Sequence, residues 1–295
     1  MLHQISERQK EVLQLLSRYG VLGTKTIQML VREATRYDCI RKTLKRMEEQ
    51  DLICKVFTGS EGKPMAYWIL PDDETAKGRA LKATGLDPKF FRTKRVRYSH
   101  VPHESVCTLV HASLERQMPK LWIYRESTAD FKNLPGHLIS KNSEEQGNIP
   151  DLCVGVPGRN ADPLISERGY RWIGVEVDRT NRSKVRIARR LNLYTKHTAF
   201  SGLLYLLPTP AALRSVREIF LKRTDKSAYR LRGASQSFLA LGLCPENLFD
   251  VNAMRVWVGE HEIPLGTWIS LFGLSEAHER DRVLLGPTGI MGRGA

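Results

Sequence analysis

Acidic residues are in short supply in this chain. Its 295 residues hold 32 Asp+Glu against 46 Lys+Arg, a formal charge of +14. A soluble protein with that imbalance is suited to a polyanion, either nucleic acid or an anionic membrane surface. Long apolar runs are lacking too. The stretch MLHQISERQKEV has no apolar signal core, and the most apolar segment, AFSGLLYLLPTPAAL, is broken by Pro208 and Pro210 well short of a bilayer span. With no membrane anchor in view, nucleic acid is the expected partner and the cytoplasm the expected location. Cysteine is sparse: Cys39, Cys54, Cys107, Cys153 and Cys244 are odd in number and widely spaced, with no C-x-x-C pair and no Cys/His cluster at zinc-finger spacing. That pattern excludes a disulfide framework and a zinc finger and fits reduced thiols. Internal repeats and low-complexity tracts are also missing, which excludes solenoid architectures. What remains is a chain long enough for about two domains, with 41% hydrophobic and 8% aromatic residues to build their cores.

Residues 1–72 read as one unit. Ser6 with Gln9 forms a capping box ahead of Val12, Leu13, Leu15 and Leu16, which predicts an amphipathic helix ending at Gly20. A short helix, TKTIQMLV, is predicted from Thr24. A third, from about Thr35, places Ile40, Leu44 and Met47 on one face and Arg36, Tyr37, Arg41 and Lys45 off it. LICKVF, the turn-rich TGSEGKP and MAYWIL then read as a hairpin. Three helices closed by a hairpin is the order of a winged helix-turn-helix, whose third helix enters the major groove. Arg36, Tyr37, Arg41 and Lys45 are therefore candidate DNA contacts. The same trihelical order also serves protein–protein contact, against which the basic, tyrosine-bearing face of the third helix weighs.

Residues 73–99 read as a polar linker closing in Arg92, Lys94, Arg95 and Arg97, either solvated or laid along a phosphate backbone. From 100 to 226 the pattern is mixed: a helix from about Glu104 to Gln117, strands KLWIY, IPDLCVGV and RWIGVEVD, a helix from about Arg182 to Lys196, the strand GLLYLLPT and a helix PAALRSVREIFLKR. Its core order is α-β-β-β-α-β. Residues 227–295 read as a C-terminal extension, with MRVWVGE as an extra strand and a mobile end, GPTGIMGRGA.

Carboxylates stand inside two of the apolar strands. Asp151 follows Pro150 at the start of one, and Glu176 and Asp178 flank Val177 in the next, sharing a face by the period-two rule. Adjacent strands would bring the three together, at a cost in repulsion and desolvation that a divalent cation removes. Hard oxygen donors of that kind suit Mg²⁺ or Mn²⁺. The alternative is a pair of structural ion pairs from Glu176 and Asp178 to Arg171 or Arg179.

Pro150-Asp151 followed by Glu176-Val177-Asp178, in this element order, resembles the PD-(D/E)XK restriction-endonuclease-like superfamily. The winged helix in front, the strand GVEVDRT and a basic helix carrying a tyrosine resemble more narrowly the replication-relaxation proteins and the MOBC-class plasmid relaxases, over most of residues 5 to 222. The resemblance implies an α/β (α+β) fold, an N-terminal winged helix-turn-helix followed by a restriction-endonuclease-like core. It also implies Mg²⁺- or Mn²⁺-dependent, site- and strand-specific DNA nicking that starts plasmid mobilisation at an origin of transfer, with accessory relaxosome or coupling proteins as further partners. The superfamily often supplies an acid from its first helix, which makes Glu115 a further candidate ligand; a solvated helix face is the alternative.

Position 178 departs from the superfamily motif, which ends in lysine. Lys184 shares a helical arc with Ile187, Ala188, Leu191 and Tyr194 and is the candidate replacement, unless its stem merely covers apolar surface. Arg179, Arg182, Lys184, Arg186, Arg189 and Arg190 form a run of basic residues without an acid, suited to holding phosphates. A strand-rejoining enzyme needs a reversible nucleophile, and Tyr194 is the candidate; a core aromatic under the sheet is the alternative. Two other functions remain open: a non-catalytic DNA-binding replication or transcription regulator with a degenerate nuclease fold, and a hydrolytic restriction or repair endonuclease.

Overall fold

The computed structural model describes residues 5–31, 36–58, 65–71, 98–125, 149–158, 169–179, 200–224 and 238–273, together with Gly78, Lys82, Leu138, Ile187, Arg190, Leu191 and Tyr194. Most of the expected linker, including Arg92, Lys94, Arg95 and Arg97, and the terminal GPTGIMGRGA lie outside the described residues, as do Arg182, Lys184, Arg186 and Arg189. The protein is a mixed helix and sheet structure. Its described residues divide into two compact units, one holding those up to Ala112 with Pro245–Leu248, the other those from Ser113 on apart from that segment.

In the first unit, α1 (Glu7–Tyr19) opens on the expected box: the Ser6 hydroxyl accepts from the Gln9 N–H, and the Gln9 side chain accepts from the Ser6 N–H. It stops at Gly20, whose φ of 79° is a left-handed conformation that glycine tolerates without a Cβ penalty. After β1 (Leu22–Gly23) come α2 (Thr24–Leu30) and α3 (Tyr37–Glu49), then β2 (Cys54–Thr58) and β3 (Met65–Ile69). The strands pair antiparallel in the order β1-β3-β2, with Leu22 opposite Trp68 and Lys55 also opposite Trp68. The helices face inward through Val12, Leu13, Leu16, Ile27, Ile40, Leu44 and Met47. The Trp68 indole N–H donates to the Thr24 hydroxyl at 2.9 Å, satisfying the polar edge of a buried ring. The first turns of α4 (Val101–Gln117) belong to this unit, beyond the sequence boundary at 72: Val101 joins a cluster with Val56 and Tyr67, and the Thr108 hydroxyl donates to the Tyr19 carbonyl at 2.9 Å.

The second unit is built on β4 (Trp122–Arg125), β5 (Leu152–Pro157), β6 (Tyr170–Val177), β7 (Phe200–Leu207), β8 (Leu239–Leu243), β9 (Arg255–Val258) and β10 (His261–Pro264). They form one sheet in the order β10-β9-β8-β7-β6-β5-β4, parallel across β6-β7 and β7-β8 and antiparallel elsewhere. The parallel centre explains why β6 and β7 are almost continuously apolar, since such strands are buried on both faces. A parallel neighbour needs a crossover, and α5 (Pro210–Thr224) lies between β7 and β8 in the chain. The last helix, α6 (Leu265–Gly273), lies so close to β7 that a Cβ on Gly202 would stand 2.5 Å from Phe272 Cζ. Residues 239–264, which the sequence places in an extension, thus supply three strands of this sheet. Among the described residues no helix is long and apolar enough to cross a membrane.

Candidate functional site

Register brings Asp151 to the end of the strand that carries Glu176. Leu152 pairs with Val175 across β5 and β6, so Asp151, one residue outside β5, meets the end of β6. Its Oδ2 accepts the Val177 N–H at 2.7 Å. Glu176 lies on β6 opposite Tyr205 of the parallel neighbour β7, and Asp178 continues the ladder by donating its N–H to the Leu206 carbonyl at 2.8 Å. Both side chains are interior, 2% and 3% exposed, while Asp151 is half-buried.

Each interior carboxylate has a partner. Glu176 accepts from Arg190, whose Nη2 lies 3.0 Å from Oε1 and 2.8 Å from Oε2, and from the Tyr194 hydroxyl. Asp178 Oδ2 accepts from the Tyr205 hydroxyl at 3.0 Å. Burial, and then the charge of Asp151, push the Glu176 carboxyl up to about 8 against the opposing pull of Arg190 and Tyr194. The Cys153 thiol is also pushed up, by burial and then by Glu176. An interior acid whose charge is opposed by a neighbouring acid is a place where a cation is stabilising.

Two expectations change here. Tyr194, the candidate nucleophile, is 0% exposed, its hydroxyl donates to Glu176, and burial together with the Glu176 charge pushes it above the ordinary phenol range. A phenol committed in that way is a poor nucleophile. Arg190 was counted among phosphate contacts, and the partner of Glu176 was sought in Arg171 or Arg179. Ile187, Arg190, Leu191 and Tyr194 follow the i, i+3, i+4, i+7 spacing of one helical face, with Ile187, Leu191 and Tyr194 buried, and it is this spacing that turns Arg190 toward Glu176. Tyr205 was missed altogether; its role depends on the register of a parallel neighbour, which the spacing of residues within β7 cannot supply. Arg179 is exposed next to Asp178, and Glu115 is half-buried on α4.

In kind the donors suit the implied metal: Asp151, Glu176 and Asp178 offer hard carboxylate oxygens, with the Glu176 charge opposed by that of Asp151, which is the chemistry Mg²⁺ or Mn²⁺ accepts, although among the described residues the three do not converge on one point.

The first unit presents the other candidate surface. α3 buries Ile40, Leu44 and Met47 and leaves Arg36, Tyr37, Arg41 and Lys45 exposed, Tyr37 by 44%. Arg36 is its N-cap, and Lys45 pairs with Glu49 at 3.8 Å in an exposed geometry that stabilises little. On the edge strand β2, Phe57 is 60% exposed with the Lys55 ammonium 4.7 Å from its ring centroid, an arrangement of cation and π-face open to solvent. Compared with protein-family models, with curated proteins and with solved structures, the chain matches none of them, so the reading of both surfaces rests on their own geometry.

Proposed function

We propose that the chain is a DNA-binding, divalent-cation-dependent strand-cleaving enzyme: a site- and strand-specific nicking enzyme of plasmid mobilisation, resembling the MOBC-class relaxases and replication-relaxation proteins. On this reading the three helices and hairpin of the first unit are a winged helix-turn-helix that reads duplex DNA through Arg36, Tyr37, Arg41 and Lys45. The second unit is a restriction-endonuclease-like core acting at an origin of transfer, with relaxosome or coupling proteins as further partners. The observation that carries the reading is the interior Glu176, 2% exposed, with Asp151 just ahead of the neighbouring strand and bonded to the next residue's N–H.

Asp151, Glu176 and Asp178 would hold Mg²⁺ or Mn²⁺, and the chemistry such a cation supplies is polarisation of the scissile phosphate and relief of charge on the leaving 3′ oxygen. Tyr194 orients Glu176 through its hydroxyl, and Arg179 stands exposed beside Asp178 for a phosphate. With Tyr194 committed to Glu176, attack in the nicking step falls to water, and rejoining of the strand, which needs a reversible nucleophile, is not part of this reading. Incubating the full chain with supercoiled plasmid and Mn²⁺ is expected to give nicked circles, lost in Glu176→Gln with DNA affinity kept, and no denaturation-resistant protein–DNA adduct. An adduct formed by wild type and absent from Tyr194→Phe would return the nucleophile to Tyr194.

A second reading, a DNA-binding regulator that keeps a degenerate nuclease fold, is favoured by the internal partners of all three carboxylates. Sequence-specific binding without any Mn²⁺- or Mg²⁺-dependent nicking would select it.

A further inference from the structure

We propose that Arg190 is the internal counter-ion of the carboxylate site, which a divalent cation must displace from Glu176, freeing the guanidinium to meet a DNA phosphate. The inference rests on the metal reading above and deepens it. Glu176 already receives three donated contacts: one Arg190 nitrogen lies 3.0 Å from Oε1 and 2.8 Å from Oε2, and the Tyr194 hydroxyl also reaches Oε1. A divalent cation at the same oxygens would face a guanidinium in direct contact with its ligand, and like charges so close in an interior repel strongly.

The two donors differ in their freedom to leave. Tyr194 is 0% exposed and packed edge-on against Phe200, so its hydroxyl has no way out and stays to orient Glu176 when the counter-ion changes. The Arg190 side chain is 25% exposed while Glu176 is 2% exposed. Its stem is long and flexible and the side chain is partly exposed, so it is freer to withdraw than the Tyr194 phenol. A guanidinium so released presents a planar fork matched to two phosphate oxygens, so loading the site with a cation and gripping DNA become one event.

The test is Mn²⁺ binding to the full chain, read from the electron paramagnetic resonance signal of free Mn²⁺, with and without a short duplex. Arg190→Gln is expected to bind Mn²⁺ at least about tenfold more tightly than wild type, since it removes the competing charge. Mn²⁺ is expected to strengthen duplex binding by wild type more than by Arg190→Gln. A merely structural arginine gives the opposite sign, because loosening the site weakens metal binding. Should Arg190→Gln fail to fold, Arg190→Met carries the comparison: it keeps a long flexible stem and loses the charge, and tighter Mn²⁺ binding supports the proposal while unchanged or weaker binding overturns it. Unchanged or weaker binding by Arg190→Gln, with Glu176→Gln abolishing it, overturns the counter-ion and leaves the metal site standing. No Glu176-dependent Mn²⁺ binding in any variant overturns both.

Discussion

Glu176 is a carboxyl in a position that disfavours its charged form, and the consequence is a pH dependence with a definite sign. Its carboxyl is pushed from the ordinary 4.5 up to about 8 by burial and by Asp151. Between those values the folded protein binds a proton that the unfolded chain releases. The contribution is therefore fully present below the ordinary value and is lost as pH rises through about 8. The cation-free protein should lose stability across that window at a slope of at most about 1.4 kcal/mol per pH unit. Glu176→Gln should flatten the slope, as read by thermal unfolding at a series of pH values; an identical slope in the variant would remove Glu176 as its source. The acids themselves were legible in the sequence, because a carboxylate inside an apolar strand contradicts its surroundings. Their partners were not. Arg190 looked like one more residue of a basic run, and Tyr205 like one more apolar position of β7, since what distinguishes them is a register and a helical phase set by the folded sheet.

Helices and strands with a strong local period were readable, and those held by tertiary pairing were not. α1, with its capping box, and α3, with Ile40, Leu44 and Met47 on one face, carry their own signals, as do the apolar runs of β5, β6 and β7. β8 is only LALGL and β10 only HEIP, too short for any period, and both exist because a neighbour supplies the ladder. β1 is two residues long and exists through its pairing with Trp68 and Tyr67. The same dependence on partners makes Gly202 a sensitive position. It lets α6 settle onto β7, and an added Cβ would meet Phe272 Cζ at 2.5 Å and Cε1 at 2.8 Å. Gly202→Ala is expected to cost about 1–3 kcal/mol through overpacking. Adding Phe272→Leu should recover part of the loss in urea unfolding, whereas strictly additive losses would show that the ring is not what the new methyl meets.

Across the whole chain the excess of 14 positive charges predicts DNA affinity without saying how it is divided. Composition establishes a polyanion partner, but only the surfaces separate contacts that position DNA from contacts that read it. Arg41 stands exposed on α3, in the first unit, while Arg179 stands exposed beside Asp178 in the second. The proposed roles make their losses different in kind. Arg41→Ala, removing a base-edge contact, should weaken binding to a duplex selected from a random pool by about 1–3 kcal/mol and weaken random duplex far less. Arg179→Ala, removing a phosphate contact, should weaken both duplexes alike and reduce the slope of log affinity against log salt by about 0.9. Because the residues belong to different units, the double variant should show the sum of the two losses. Fluorescence anisotropy over a salt series measures all of these quantities. Equal losses on selected and random DNA for Arg41→Ala would make α3 a backbone contact and leave sequence choice to some other surface.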